Sequence, residues 1–408
     1  MNLRAIPRQR FIPFSLYDVE GICRQYTTLD EQDFETHRQL FANLINHDFQ
    51  SLHNQLKNAY RPFNPDRDTK VWQQLAQDSD SLSDLVVQVL TAANYEQLTT
   101  KDLELAMLDN SLCQIKLDID FNEFSRLLVF TRGEHIERKV IGRFGRFGKK
   151  TVEFVSFERV FIFLQFQDEQ WFKRHKRVIP EQIKPGTIML KLFKEVPKAD
   201  LETLFPNTKV RMRNRDKLLI GVPAIASGGV ILATKLGATL LLVGALISFY
   251  MGWSKEPVVL DQKNLLILAA GLATLGGYFW KQFSAFKNKK IRFMQTLSAS
   301  LYYKALDNNA GVFHYLIDSA KESECKELLL AWTFMQRLQH ATAQELDQAI
   351  EDYFLQEHDT TIDFDVPDAL AKLLRWQMVT QMGDEYIVCD PKLSYQHLIT
   401  QWQRAAIE

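Results

Sequence analysis

Apolar and polar residues keep three successive rhythms along this chain. In the N-terminal part, apolar residues return at three- and four-residue intervals with few glycines. An Asx residue or Thr stands before several of these runs, which predicts helices over 31–58, 71–77, 81–93 and 100–110. From Ile115 the period drops to two. The stretches IKLDIDF, RLLVFTRG, TVEFVSFERVFIFLQF and TIMLKLFKEV are rich in alternating β-branched and aromatic residues, the signature of a small antiparallel β-rich module. Beyond it, 218–280 is almost continuously apolar, with Lys235, Lys255, Glu256, Asp261 and Lys263 as its charges.

That apolar block is bracketed by RMRNRDK (211–217) and KQFSAFKNKKIR (281–292). A spanning helix needs about 20 predominantly apolar residues, and Lys and Arg are retained on the cytoplasmic side of a membrane. Two basic flanks therefore predict an even number of crossings. On this reading 236–253 and 264–281 form a transmembrane helical hairpin. The segment 218–234, weakened by Pro223 and the Ser227-Gly228-Gly229 run, is interfacial or re-entrant. Small residues recur at every fourth position, Gly244, Ser248 and Gly252 on the first helix and Ala269, Ala273 and Gly277 on the second. Such stripes let two helix backbones pack closely in lipid.

Past the hairpin, the second membrane helix is expected to continue through about 307, followed by helices over 311–320 and 322–339. The capping box Thr342-Ala-Gln-Glu345 opens a helix reaching about 356. Asp365 caps another, with Pro367 tolerated in its first turn, and VTQMGDEYIVC reads as a β-hairpin turning at Gly383-Asp384. Helix, helix and two-stranded wing is a winged-helix-like order. The expected fold class is α+β. It has a helical region over 1–112, a basic β-rich module over 113–217, a membrane region over 218–281, cytoplasmic helices over 282–340 and an acidic winged-helix-like domain over 341–408.

Composition changes this picture in one respect. The formal net charge of -1 hides an uneven distribution: residues 130–217 carry 21 basic and 11 acidic side chains, whereas 292–408 carry 9 and 18. The basic stretch is expected to meet anionic lipid headgroups of the bilayer, and the acidic one a protein partner. Phosphate contacts supply most non-specific DNA affinity, so an acidic winged helix offering Lys372 and Arg375 on its recognition helix disfavours nucleic acid. The candidate lipid-binding residues are Arg143, Arg146, Lys149 and Lys150 in the tip GRFGRFGKK, with Arg211, Arg213 and Arg215 on the membrane flank. Cys23, Cys113, Cys325 and Cys389 form no CxxC pair and read as reduced thiols.

RFIPFSLYDV (10–19), YRPFNPD (60–66), KLFKEVPKADLETLFPNTKVRM (191–212), LDNNAGVFH (306–314) and ECKELLLAW (324–332) occur in that order. In these motifs the chain resembles an uncharacterised membrane-protein family that includes mitochondrial transmembrane protein 143 and bacterial relatives. The resemblance implies an integral membrane protein of unknown biochemical activity. With the first motif starting nine residues into the chain, there is little room for a cleaved presequence. The expected location is thus a multi-pass protein of a bacterial inner membrane with both termini cytoplasmic, the alternative being a mitochondrial membrane.

Candidate chemistry is sparse. Catalytic triads, a P-loop and a dinucleotide-binding glycine loop are absent from the sequence, and no catalytic residue or cofactor is assigned. The best constellation is His314, Asp318 and Glu322, at i, i+4 and i+8 of one expected helix, where imidazole and carboxylates suit a divalent metal or proton transfer. The leading expectation is a membrane-anchored interaction or scaffold protein. A lipid- or metal-linked membrane enzyme using the His314 face is the alternative, and a homo-oligomer is left open.

Overall fold

The structure is a computed structural model that describes residues 10–70, 78–99, 101–103, 116–142, 149–179, 184–211, 241, 244–245, 247–252 and 261–407. Two compact units result, one drawn from 1–111, 120–201 and 304–408 and the other from 112–119 and 202–303. In chain order the elements begin with α1 (Leu16–Tyr26), α2 (Glu31–Tyr60), α3 (Ser79–Ala92), β1 (Glu96–Gln97) and β2 (Lys116–Asp118). The β-rich stretch gives β3 (Phe124–Gly142), β4 (Lys149–Phe166), α4 (Glu169–Arg174), β5 (Ile188–Pro197) and β6 (Lys209–Arg211). Then come α5 (Gln262–Lys304), β7 (Ala305–Asn308), α6 (Ala310–Leu338), β8 (His340–Thr342) and α7 (Ala343–His358). The chain closes with α8 (Val366–Arg375), β9 (Val379–Met382), β10 (Glu385–Val388) and α9 (Pro391–Ala405). The helix expected over 71–77 lies outside the described residues.

The first unit is organised around α6. Its central run LLLAWTF is apolar on every side, as befits a helix enclosed by protein. Trp332 is fully buried, with its ring against Phe34, Phe41 and His37 of α2. Where the sequence suggests two helices, over 311–320 and 322–339, α6 runs unbroken, because Lys321 between them is a good helix former. The N-termini of α1, α2 and α3 are closed by Ser15, Asp30 and Asp78, whose side chains accept backbone N–H groups of the first turn.

The main sheet has the order β1-β3-β4-β5-β7 with every pairing antiparallel. Its β3–β4 ribbon keeps one register from Arg126 opposite Gln165 to Gly142 opposite Lys149, with a shift between Arg126 and the Phe124–Phe166 pair at its end. Phe130, Phe161, Phe163, Leu190 and Leu192 join the same core as the buried side chains of α6. Within β3, Gly133 has φ +73°, and a Cβ there would stand 2.7 Å from Cγ of Glu158. Gly133→Ala is expected to lower stability by about 1–2 kcal/mol, since a side chain is disfavoured in the left-handed region. Urea unfolding at matched m-value checks this, and an unchanged midpoint would mean the ribbon relaxes freely.

A second sheet, β8-β10-β9, follows α6. The chain runs α6, β8, α7, α8, β9, β10, and the buried side chains of α6, α7 and α8 belong to one core. The capping box is present: the Glu345 N–H donates to Oγ1 of Thr342 and the Thr342 N–H to Oε2 of Glu345, at 3.2 and 2.8 Å. Asp365 precedes α8 but makes no side-chain cap bond; its carboxylate pairs with Arg10 at 3.3 Å.

In the second unit, β2 pairs antiparallel with β6, and α5 is 43 residues long. Among the described residues no helix is long and apolar enough to cross a membrane. This overturns the transmembrane hairpin, and with it the multi-pass membrane location and the membrane-anchored functions expected from the sequence. Segment 218–234 and much of 236–253 lie outside the described residues. The other half of the hairpin falls in α5, where the uncharged run from Asn264 to Trp280 lies between Lys263 and Lys281. At 1.5 Å per residue that run reaches roughly 26 Å, short of a hydrocarbon core of about 30 Å.

Candidate functional site

The helices of the first unit enclose a cleft of about 610 Å³ lined by residues of α2, α3, α6 and α8, together with Asn94 and Asp365. Glu324 and Glu327 stand on adjacent turns of α6 and are only 5% and 4% exposed. Asp368, from α8, completes a set of three carboxylates. One oxygen of each lies within 4.8 Å of the others.

Charge inside the cleft is only partly balanced. Lys372, one turn along α8 from Asp368, places its Nζ against carboxylate oxygens of both Glu324 and Asp368. Asn94 donates from Nδ2 to Oε1 of Glu327 at 2.5 Å. Its backbone sits at φ 58°, a left-handed conformation that Asn tolerates better than most residues, directly after the end of α3. Arg375 pairs at 2.6 Å with Asp48 of α2. Burial pushes the Glu327 carboxyl up to about 8 despite the Asn94 hydrogen bond, and pushes Glu324 up to about 7 against the pull of Lys372. Burial lowers the Lys372 ammonium, but the charges and hydrogen bonds of Glu324 and Asp368 together outweigh it and hold the proton on.

Two of the residues singled out in the sequence meet in another cleft, of about 700 Å³, between α2 and α6. His314 and Asp318 line it with His53, Asn54, Lys57 and Lys321 among others. The rings of His53 and His314 are 4.5 Å apart, edge to face, and Nε2 of His53 is buried without a hydrogen-bond partner. Burial, then the charges of His314, Lys57 and Lys321, holds the His53 imidazole below its usual range. Glu322 is not brought into this cleft. It accepts the Leu16 N–H at 3.2 Å and Nζ of Lys326 at 2.8 Å.

Of the expected lipid-binding residues, Arg143, Arg146, Arg213 and Arg215 lie outside the described residues. Lys149, Lys150 and Arg211 are strand residues of β4 and β6. In the two small-residue stripes, nothing stands within 4 Å of where a Cβ would be at Gly244, Gly252 or Gly277, Ser248 is half-buried, and Ala269 and Ala273 are exposed. Much of 236–253 lies outside the described residues, and with it any packing of one stripe against the other.

Glu324, Glu327, Asp368, Lys372 and Asn94 were not singled out as a site by sequence reasoning. The signal was the motif ECKELLLAW, in which two acids at i and i+3 run straight into an apolar stretch, a setting that buries them. No solved structure matches the chain. Residues 157–311, from within β4 through β5 and α5 to the first turn of α6, are a domain of the family described as DUF3754, a protein of unknown function.

Proposed function

We propose that the first unit binds a divalent cation in the cleft between α2, α3, α6 and α8, and through it a small anionic ligand. The observation that carries this is the convergence of the Glu324, Glu327 and Asp368 oxygens within 4.8 Å inside a cleft of about 610 Å³. Three carboxylates with an Asn side chain beside them form an all-oxygen donor set, suited to Mg²⁺, Mn²⁺ or Ca²⁺ rather than to zinc. The volume exceeds what an ion needs and falls within the range of small-molecule sites, roughly 300–1,000 Å³. Lys372 and Arg375 at the cleft provide cationic partners for an anion held by the metal.

In the cation-free protein Lys372 neutralises part of this charge. An incoming ion would displace its ammonium toward solvent, and the buried carboxyls would surrender any protons they hold. The reading is one of binding, and no reaction is assigned. Kinship with the family that includes transmembrane protein 143 is likewise a proposal, carried by the shared motifs, of which 191–212 falls within the DUF3754 domain. It lends no membrane placement to this reading.

Calorimetric titration of Mn²⁺ at pH 8, followed in parallel by electron paramagnetic resonance, tests the site. The expected result is stoichiometric binding that Glu327→Gln weakens by tenfold or more, about 1.4 kcal/mol. Absence of Mn²⁺ binding, or binding unchanged in a Glu324→Gln, Glu327→Gln double variant, would remove the proposal.

A further inference from the structure

A transverse row of donors crosses the main sheet of the first unit. Glu96 opposite Thr131 sets Tyr95 beside Arg132, Arg132 stands directly opposite Arg159, and Arg159 directly opposite Lys194. Directly opposed residues on antiparallel strands share a face with their Cβ atoms about 5 Å apart, and like charges so placed repel. This face also carries Phe161 and Phe163, so the row borders the core rather than open solvent.

Arg132 donates to the Ala93 carbonyl at 3.1 Å and Arg159 to the Glu158 carbonyl at 2.8 Å, both uncharged acceptors. Among the described residues neither guanidinium forms a salt bridge with a carboxylate. Nε of Arg132, Nε of Arg159 and the hydroxyl of Tyr95 are all buried without a hydrogen-bond partner. Tyr95 is 5% exposed, with the Arg132 guanidinium 4.9 Å from its ring centroid and 4.4 Å from that of Phe11 on another side.

We propose that this row binds a phosphate group, with the two Nε–H groups and the Tyr95 hydroxyl donating to its oxygens. Buried donors left unpaired are costly, and opposed cations add repulsion. An oxyanion relieves both at once, and planar guanidinium groups suit phosphate geometry. The site uses β1, β3, β4 and β5, none of which lines the carboxylate cleft, so it stands or falls independently of the cation reading.

The test compares the full chain with Arg159→Met and Tyr95→Phe variants by thermal unfolding and calorimetry. The probes are inorganic phosphate and glycerol phosphate, against chloride at equal ionic strength. Phosphate is expected to raise the melting temperature of the parent. Arg159→Met should melt above the parent in chloride, because the opposed charges are relieved, and should not respond to phosphate. Tyr95→Phe, which keeps the ring, covers the case in which the first variant fails to fold; its phosphate affinity should fall about tenfold. Binding of inorganic phosphate but not of the ester marks the free anion as the ligand, and tighter binding of the ester marks a phosphorylated small molecule. Equal stabilisation of parent and Arg159→Met would be general salting-out and would overturn the proposal. So would the absence of any response in the parent, or unchanged affinity in Tyr95→Phe.

Discussion

Replacing Lys372 by Met is expected to destabilise the protein by about 3 kcal/mol or more at pH 8 in metal-free buffer, the range for breaking a buried ion pair from one side. Its Nζ bridges Glu324 and Asp368, and its side chain is 20% exposed. Methionine keeps most of the aliphatic stem and removes only the charge. Three carboxyl groups within 4.8 Å of one another would then face each other without the ammonium between them, Arg375 being paired with Asp48. A divalent cation should restore much of the loss, because a ligand that binds only the folded state stabilises it by about 2.7 kcal/mol at a hundred times its Kd. Urea unfolding with EDTA, and then with excess Mn²⁺ or Ca²⁺, makes the comparison. Equal stability of variant and parent would mean that the ion pair carries no weight. A loss that no divalent ion reverses would make Lys372 a structural counter-ion and nothing more.

The parts of the fold that could be read from the sequence are those decided locally. The Thr342 capping box and the turn at Gly383 need only neighbours within a few residues, and both are present. His314 and Asp318 share a cleft because four positions advance a helix by little more than one turn. Glu322, eight positions from His314, has rotated a further part of the circle, roughly 80° off that face, and points to Leu16 and Lys326 instead.

The carboxylate cleft as a whole was not legible for the opposite reason, although ECKELLLAW signals that its two glutamates are buried. Two acids at i and i+3 on a helix ordinarily form a solvated edge. What hydrogen-bonds Glu327 is Asn94, 233 residues away, and what meets Glu324 is a lysine on a different helix. Asn309 shows the same limit: it precedes α6 but makes no cap, and its side chain instead receives the Leu190 N–H and donates to Asp66. The membrane hairpin failed differently, because the run between Lys263 and Lys281 is diluted by Asn264, Gly271, Thr274, Gly276 and Gly277, and the helix that holds it is not apolar enough to cross a bilayer.

The same buried acids predict how stability varies with pH. Glu324 and Glu327 have an ordinary value of 4.5 and stand in the folded chain at about 7 and about 8, raised first by burial. Between the unfolded and folded values the folded state therefore holds more protons than the unfolded one. Stability falls as pH rises through this window and levels off above it, with a slope of about 1.4 kcal/mol per pH unit for each group while it is protonated only when folded. At the acid end Glu35 acts in the opposite sense, since its hydrogen bond with Arg38 holds it down at about 2 and its contribution disappears as pH falls below 4.5. In metal-free buffer these groups place the stability maximum near pH 5 and a decline toward pH 8.5. Glu327→Gln mimics the protonated carboxyl, so it should flatten the decline and leave the variant more stable than the parent at pH 8. Saturating Mn²⁺ should instead raise the alkaline limb of the parent, because the ion takes the place of the protons. Chemical denaturation at half-unit pH steps from 4 to 9 resolves the three curves, and a parent whose stability rises through pH 6 to 8 without metal would contradict the buried-carboxyl account.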